Sequence, residues 1–122
     1  MNRVEYIGRL VTDGDMSFSA TGNAFYRNKI AVDRKIKKDG EPTADFFKFK
    51  MFGKAAETFQ QWTQKGSKVF LAGRNANEDY TDKDGNKHYD ITLFVDEFEF
   101  LDRKETQGSN LTIPEDMELP FN

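Results

Sequence analysis

Short runs in which hydrophobic and polar residues alternate dominate the first hundred positions of the chain. β-Branched and aromatic residues are concentrated in the runs RVEYIGRLV, MSFSA, AFYRNKIAV, DFFKFKMFG and SKVFLAGRN. Alternation with a period of two predicts strands, and the polar segments between them predict turns. The second and third runs are separated by TGN, whose Gly22 suits the positive φ of a tight turn. The later segment EDYTDKDGNKHYDITLFVDEFEFL predicts two strand arms on either side of KDGNK.

One segment changes to a helical period. In residues 54–65, KAAETFQQWTQK, the residues Ala55, Phe59 and Trp62 are spaced i, i+4 and i+7. This spacing predicts an α-helix with Trp62 in the hydrophobic core. Gly66 is placed to cap its C-terminal end.

Together these elements predict an all-β fold with one helix. About five long strands, with the helix between the third and the fourth, match a five-stranded Greek-key barrel of the oligonucleotide- and oligosaccharide-binding type, the OB-fold. From Asp102 onward the chain becomes polar and loses its periodicity. We therefore expect a folded domain over residues 1–103, followed over residues 104–122 by a flexible linker and an acidic, disordered tail.

Composition narrows the class of protein. The chain has 122 residues and no cysteine, so neither a disulfide framework, nor a thiolate nucleophile, nor a cysteine-ligated zinc site is available. The sequence MNRVEYIGRL lacks the apolar stretch of a signal peptide, and no run is long and apolar enough to span a bilayer. We expect a soluble cytoplasmic protein.

Charge is distributed unevenly along the chain. The net charge is −3, but residues 105–122 hold four acidic and no basic residues, which leaves 18 basic and 17 acidic residues in the body. In a nearly neutral body, an anion-binding surface must come from local clustering. Such a cluster lies in RNKIAVDRKIKK, where Asp33 accompanies Arg27, Lys29, Arg34, Lys35, Lys37 and Lys38. The cluster by itself fits either an anion site or a solvated hairpin flank.

The run DFFKFKMFG places different residue types on the two faces of a strand. Phe47, Phe49 and Met51 share one face, which has the composition of a core. The opposite face combines two rings with two ammonium groups: Phe46, Lys48, Lys50 and Phe52. Single-stranded nucleic acid needs apolar platforms for its bases and cations near its phosphates, so this mixture favours such a ligand. The alternative is that the helix or another subunit covers both rings.

Two further features extend this surface. Phe25, Arg27 and Lys29 alternate onto one side of the preceding strand, which is an antiparallel neighbour in the predicted sheet. Tyr80, just before the KDGNK turn, either supplies a third platform or packs on its own hairpin.

Other candidate chemistry does not form a recognisable site. The aspartates Asp79, Asp82, Asp84 and Asp90 lack the spacing of a calcium loop. His88 has neither a cysteine nor a second histidine to share a zinc ion with. No nucleophile, base and orienting group occur as a set, so we expect no enzyme activity, no metal and no cofactor.

Four stretches, taken together, resemble a known family. NRVEYIGRL, ADFFKFKMFGKAAETF, KGSKVFLAG and YTDKDGNKHY are similar in order and spacing to the bacterial and bacteriophage single-stranded DNA-binding proteins (SSB), over about residues 2–101. The resemblance implies an OB-fold barrel, assembled as a homotetramer, that binds single-stranded DNA without strong sequence preference. In some members a stacking tryptophan lies near the position of Ile36, so that contact is missing here.

The resemblance also implies roles for individual residues. Phe46, Phe52 and Tyr80 fall at base-stacking positions, and Arg3 and Lys48 fall at basic positions. With the clustered cations, the expected phosphate contacts are Arg3, Arg27, Lys29, Arg34, Lys35, Lys37, Lys48 and Lys50.

The chain ends in PEDMELPFN, which resembles the acidic tails that end in Pro-Phe in this family. The resemblance implies that proteins of replication, recombination or repair bind the tail through Asp116, Glu118, Pro120 and Phe121. Asn122 departs from the pattern because it moves the α-carboxylate one residue beyond the phenylalanine.

The expected function is therefore non-catalytic binding and protection of single-stranded DNA, with recruitment of partners through the tail. The first alternative is an OB-fold replication or primosome adaptor, in which Phe46 and Phe52 contact a protein. The second is a metal-dependent nuclease that uses the hairpin aspartates.

Overall fold

The computed structural model describes residues 1–102 of the protein. Eight strands and one helix make up this part of the chain, in the order β1 Val4–Leu10, β2 Asp15–Phe18, β3 Ala24–Asp33, β4 Ala44–Phe52, α1 Gly53–Trp62, β5 Lys68–Asn77, β6 Tyr80–Thr81, β7 Lys87–His88 and β8 Ile91–Phe100. Five of the strands are long, and α1 lies between the third and the fourth of these, as the sequence predicts.

The five long strands close into a barrel. The sheet runs β1-β5-β8-β4-β3-β2, and a further pairing of β1 with β3 joins its two sides. A ring of five strands cannot alternate in direction all the way round, because five is odd. The exception is the contact between β4 and β8, which is parallel and pairs Phe49 with Leu93 and Lys50 with Phe94. The prediction of a closed five-stranded barrel with one helix is confirmed.

Aromatic side chains fill the core of the barrel. Tyr26, Phe49 and Phe59 are fully or almost fully buried, and their ring centroids lie 5.4 to 6.1 Å apart. Phe59 comes from α1, which packs against β3 and β4. The helix therefore contributes one large ring to a core otherwise built by strands.

Two details of the predicted helix are wrong. Trp62 is 62% exposed, and the residues that α1 buries are Ala56 and Phe59. Gly66 does not cap the helix, which ends at Trp62 with Thr63 as its C-cap. The Thr63 hydroxyl donates to the carbonyl oxygen of Phe59 at 2.6 Å, which satisfies one of the last helical carbonyls.

One irregularity changes the faces of β8. Along β5, Ala72 pairs with Glu97 but Gly73 pairs with Val95, so Asp96 is an extra residue opposite this step. A β-bulge of this kind reverses the alternation of side chains across it. Phe94 and Phe98, four residues apart, consequently lie on opposite faces: Phe98 packs against Phe59 in the core, and Phe94 faces outward beside Phe52.

The predicted short strand pair and hairpin are also present. β2 pairs with β3 across a turn that contains Gly22, whose φ is +86°, and β6 pairs with β7 around the KDGNK turn. No helix in the described part of the chain combines the length and the apolar character needed to cross a membrane. The predicted domain boundary near residue 103 and the tail lie beyond residues 1–102, and both stay predictions.

Candidate nucleic-acid interface

The outward faces of β3 and β4 form one continuous surface. Across the antiparallel register, Phe25 lies opposite Phe52, Arg27 opposite Lys50, and Lys29 opposite Lys48. On β4, the faces are divided as the alternation predicts, since Phe46 is 58% exposed whereas Phe49 and Met51 are buried. Phe46 and Phe52 are six residues apart on one strand, a distance of roughly 20 Å. Rings therefore stand at both ends of the surface, with four cations between them.

The ring at the Phe52 end belongs to a larger cluster. The Phe52 ring centroid lies 6.4 Å from that of Phe25 and 5.8 Å from that of Phe94. Guanidinium groups lie over the outer two rings, Arg27 at 5.7 Å from Phe25 and Arg74 at 5.0 Å from Phe94. We call these five residues the aromatic row.

Phe94 and Arg74 lie on the same outward surface, and sequence reasoning did not predict either of them. The bulge at Gly73 and Asp96 turns the Phe94 ring outward, and Arg74 is its register partner on β5. The signal in the sequence was the glycine inside a strand-like run, because a glycine there often marks a bulge.

A groove lies beside the aromatic row. Its volume is about 480 Å³, and it runs between β3, β4 and the start of the β6–β7 hairpin. Arg27, Lys29, Lys48 and Lys50 all line it, and so does Tyr80. The structure thus brings four of the predicted phosphate contacts and one predicted stacking residue to a single concave site.

Tyr80 packs on its own hairpin and also leaves part of its ring exposed, the two features that the sequence analysis gave as alternatives. Its ring stacks on that of His88 across its own hairpin, with centroids 4.7 Å apart and planes within 10°, yet the side chain remains half exposed. The His88 Nε2 atom lies 2.8 Å from Asp82 Oδ2. This hydrogen bond, together with the backbone N–H of Asn86, lowers the pKa of Asp82.

Two carboxylates reach into the groove from the hairpin side. Asp90 Oδ2 lies 2.7 Å from Lys48 Nζ, and Glu78 Oε2 lies 2.6 Å from Lys50 Nζ. On β3, by contrast, Arg27 and Lys29 form no ion pair with any residue of the described chain. Each lysine on β4 is therefore paired with a carboxylate, whereas the two β3 cations form no ion pair, although Asp15 on β2 is the register partner of Arg27 and also lines the groove.

Buried polar groups hold the floor of the groove in place. The Asn28 side-chain amide donates to the Thr12 carbonyl at 2.9 Å and to the Tyr26 hydroxyl at 2.8 Å. Its own oxygen accepts from the Thr12 hydroxyl at 2.9 Å. Because buried polar groups are costly unless they are paired, this network fixes β3 relative to the loop after β1.

The other four predicted phosphate contacts do not line the groove: Arg3, Arg34, Lys35 and Lys37. Arg3 is next to the bulge and pairs with Glu97 at 3.0 Å and Asp96 at 3.3 Å; the Glu97 hydrogen bond raises the pKa of Arg3. Arg34 binds Asp45 at 2.8 Å at the start of the loop between β3 and β4. Lys35 and Lys37 are exposed in that loop.

The tail residues Asp116, Glu118, Pro120 and Phe121 lie outside the described residues. Within residues 1–102, no group of three or more His, Cys, Asp or Glu side chains is arranged to hold a metal ion.

A five-stranded barrel with an outward surface of rings and cations defines a class of protein, the OB-fold binders of single-stranded nucleic acid. Comparison with known sequences gives the family. The chain belongs to the Single-strand binding protein family, whose sequence model matches residues 1–101.

Individual relatives agree with this assignment. The chain is 38% identical over 112 residues to a "Single-stranded DNA-binding protein" of Clostridium tetani. The alignment covers 89% of this chain and 77% of the relative. It is 37% identical over 112 residues to "Single-stranded DNA-binding protein 3" of Clostridium acetobutylicum, with 91% and 78% covered. A "Single-stranded DNA-binding protein" of Fusobacterium nucleatum is 35% identical over 115 residues, with 92% and 74% covered.

Proposed function

We propose that this protein binds single-stranded DNA without sequence preference and catalyses no reaction. The observation that carries the proposal is the outward face of β3 and β4, where Phe46 and Phe52 flank four cations beside a groove. Rings stack on any base and cations attract any phosphate, so such a face discriminates little between sequences. Membership in the Single-strand binding protein family and the names of the relatives support the same ligand.

The proposal is tested by fluorescence-anisotropy titration of a labelled oligo-dT strand and of the matching duplex, at two salt concentrations. We expect salt-sensitive binding that is selective for the single strand. Equal affinity for strand and duplex would favour the replication or primosome adaptor, in which the same rings contact a protein.

Phe46 provides the sharpest test of the surface itself. Replacing it by alanine removes one exposed ring, and the loss of one stacked base is expected to weaken binding by about 1–3 kcal/mol on all sequences alike. Phe18→Ala is the matched control, because Phe18 is 60% exposed but is not part of the β3–β4 surface. If Phe46→Ala binds oligo-dT as tightly as the parent, the surface is assigned wrongly.

We extend the proposal to assembly and cellular role. By its likeness to the family, the protein is expected to form a homotetramer in the cytoplasm and to protect single strands during replication, recombination and repair. A molar mass in solution near four times the 14.1 kDa of one chain is the expected result.

The tail is expected to recruit partner proteins through Pro120 and Phe121. Deleting residues 120–122 should leave the affinity for oligo-dT intact and abolish co-purification with replication or repair proteins. Unchanged co-purification would remove the tail from the proposal, and lost DNA affinity would assign it a different role.

A further inference from the structure

The four cations that line the groove differ in whether a carboxylate of the protein is already paired with them. Arg27 and Lys29 on β3 form no ion pair within residues 1–102, whereas Lys48 and Lys50 on β4 each hold a carboxylate within 2.7 Å. An ammonium group that is already matched by a fixed carboxylate attracts a phosphate less strongly than an unmatched one. The two strands therefore make unequal contributions to any anion bound in the groove.

Both carboxylates come from the base of the β6–β7 hairpin. The backbone N–H of Glu78 donates to the carbonyl oxygen of Asp90 at 2.9 Å, which places the two residues opposite each other where the hairpin leaves the barrel. From there their side chains reach the β4 lysines, and all four groups line the groove. The carboxylate oxygens thus occupy positions beside the ammonium groups that suit the oxygens of a phosphate.

The Lys50–Glu78 pair is sheltered from solvent. The two side chains are only 24% and 30% exposed, so salt screens their attraction less than that of a fully exposed pair. Burial raises the pKa of Glu78, but hydrogen bonds from Lys50 and Thr92 outweigh this effect and hold the pKa below its ordinary value. Glu78 is accordingly an anion at neutral pH.

We propose that Glu78 and Asp90 are resident competitors for phosphate, which occupy Lys50 and Lys48 until a bound strand displaces them. This inference rests on the proposed binding of single-stranded DNA. Each carboxylate weakens the binding and reduces the number of counterions that the protein releases from the strand. The β3 cations then make the stronger phosphate contacts, and the β4 lysines make contacts that are readily reversed.

The test uses the full chain with Glu78→Gln or Asp90→Asn, which keep the side-chain shape and the hydrogen-bonding oxygen but remove the charge. Oligo-dT is titrated at about 50 mM and about 200 mM salt. We expect both variants to bind more tightly than the parent, with a salt slope steeper by about 0.7 for each freed lysine. Over this fourfold range of salt, such a slope corresponds to an additional loss of affinity of about 2.6-fold.

Glu57→Gln is the matched control. It changes the net charge by the same amount, but Glu57 is exposed on α1 and does not line the groove. Its binding and salt slope should stay close to those of the parent. Thermal unfolding of each variant reports whether the hairpin base and the barrel remain folded, and the two groove variants test the inference independently.

Two results would overturn the inference. Variants that bind like Glu57→Gln would mean that phosphates do not reach the β4 lysines, and variants that bind more weakly would mean that the carboxylates position those lysines. In both cases a parent that binds oligo-dT leaves the proposed function standing. A parent that binds no single strand would overturn the proposed function together with the inference.

Discussion

Among single residues, Phe94 extends the aromatic row from β4 towards β5, because its ring lies between the ring of Phe52 and the guanidinium group of Arg74. Phe94→Leu keeps much of the apolar volume but removes the flat ring. We expect single-strand affinity to fall by an amount within the range of one stacked base, about 1–3 kcal/mol. Phe98→Leu on the same strand is the control, since Phe98 packs against Phe59 in the core.

Oligo-dT titration and thermal unfolding distinguish these two variants. Phe94→Leu should lose affinity with a small change in stability, and Phe98→Leu should lose stability and retain its affinity. The opposite pattern would mean that the bulge does not set the orientation of these rings in solution.

Sequence reasoning predicted the direction of a side chain well where alternation alone determines it. Phe46 and Phe52 on β4, and Arg27 on β3, face outward because each strand keeps its period of two without interruption. Alternation could not predict Phe94, since the extra residue Asp96 reverses the faces of β8. Nor could it predict the carboxylate at Lys48, because residues 48 and 90 meet only after the barrel closes.

At the scale of elements, the β5–β8 pair depends on a glycine. A Cβ atom at Gly73 would lie 2.0 Å from the Phe94 carbonyl oxygen, so two backbones approach more closely there than any side chain permits. Gly73→Ala must therefore separate the strands, and overpacking of this kind costs about 1–3 kcal/mol or more of unfolding free energy. Single-strand affinity should fall as well, because Arg74 and Phe94 move with their strands.

Gly22→Ala is the control for Gly73→Ala, and chemical denaturation measures the unfolding free energy of both variants. Gly22 has a φ of +86° but no neighbouring atom within 4 Å of an added Cβ, so alanine there meets only backbone strain of about 1–2 kcal/mol. Gly22→Ala should leave binding unaltered. Equal binding by the two variants would show that the bulge has no role in the interface.

The helix shows why the phase of a short amphipathic segment is hard to predict. Ala55 and Trp62 have the spacing of a buried stripe with Phe59, but the observed stripe is rotated and buries Ala56 instead. A ten-residue helix that packs on two strands needs only a narrow apolar contact. A single large residue, Phe59, satisfies that contact, so its position sets the rotation more than the periodicity does.

At the scale of the whole molecule, acid should destabilise the barrel and hairpin together. A hydrogen bond from Arg34 lowers the pKa of Asp45, and one from His88 lowers the pKa of Asp82. A lowered folded-state pKa contributes stability above the ordinary value of 3.8, and this contribution is lost as the pH falls through the folded-state values. These groups therefore leave stability constant from pH 7 to 5 and reduce it below about pH 4.

Unfolding temperatures measured between pH 7 and pH 3 test this expectation. The double variant Asp45→Asn and Asp82→Asn should lose part of the decline at low pH, whereas Glu57→Gln should show the same decline as the parent. Superimposable profiles for all three proteins would mean that neither hydrogen bond contributes to acid stability.

The short parallel contact between β4 and β8 has a consequence for the stability of the barrel when its ligand is bound. Two residue pairs, Phe49 with Leu93 and Lys50 with Phe94, join these strands, and the pairing of β1 with β3 is equally short, so these are the two shortest pairings among the long strands. Phe52 and Phe94 stand on either side of the β4–β8 contact, 5.8 Å apart. Under the proposed function, bases stacked over both rings would hold this contact closed, and the DNA that the protein protects would in turn protect the barrel from unfolding.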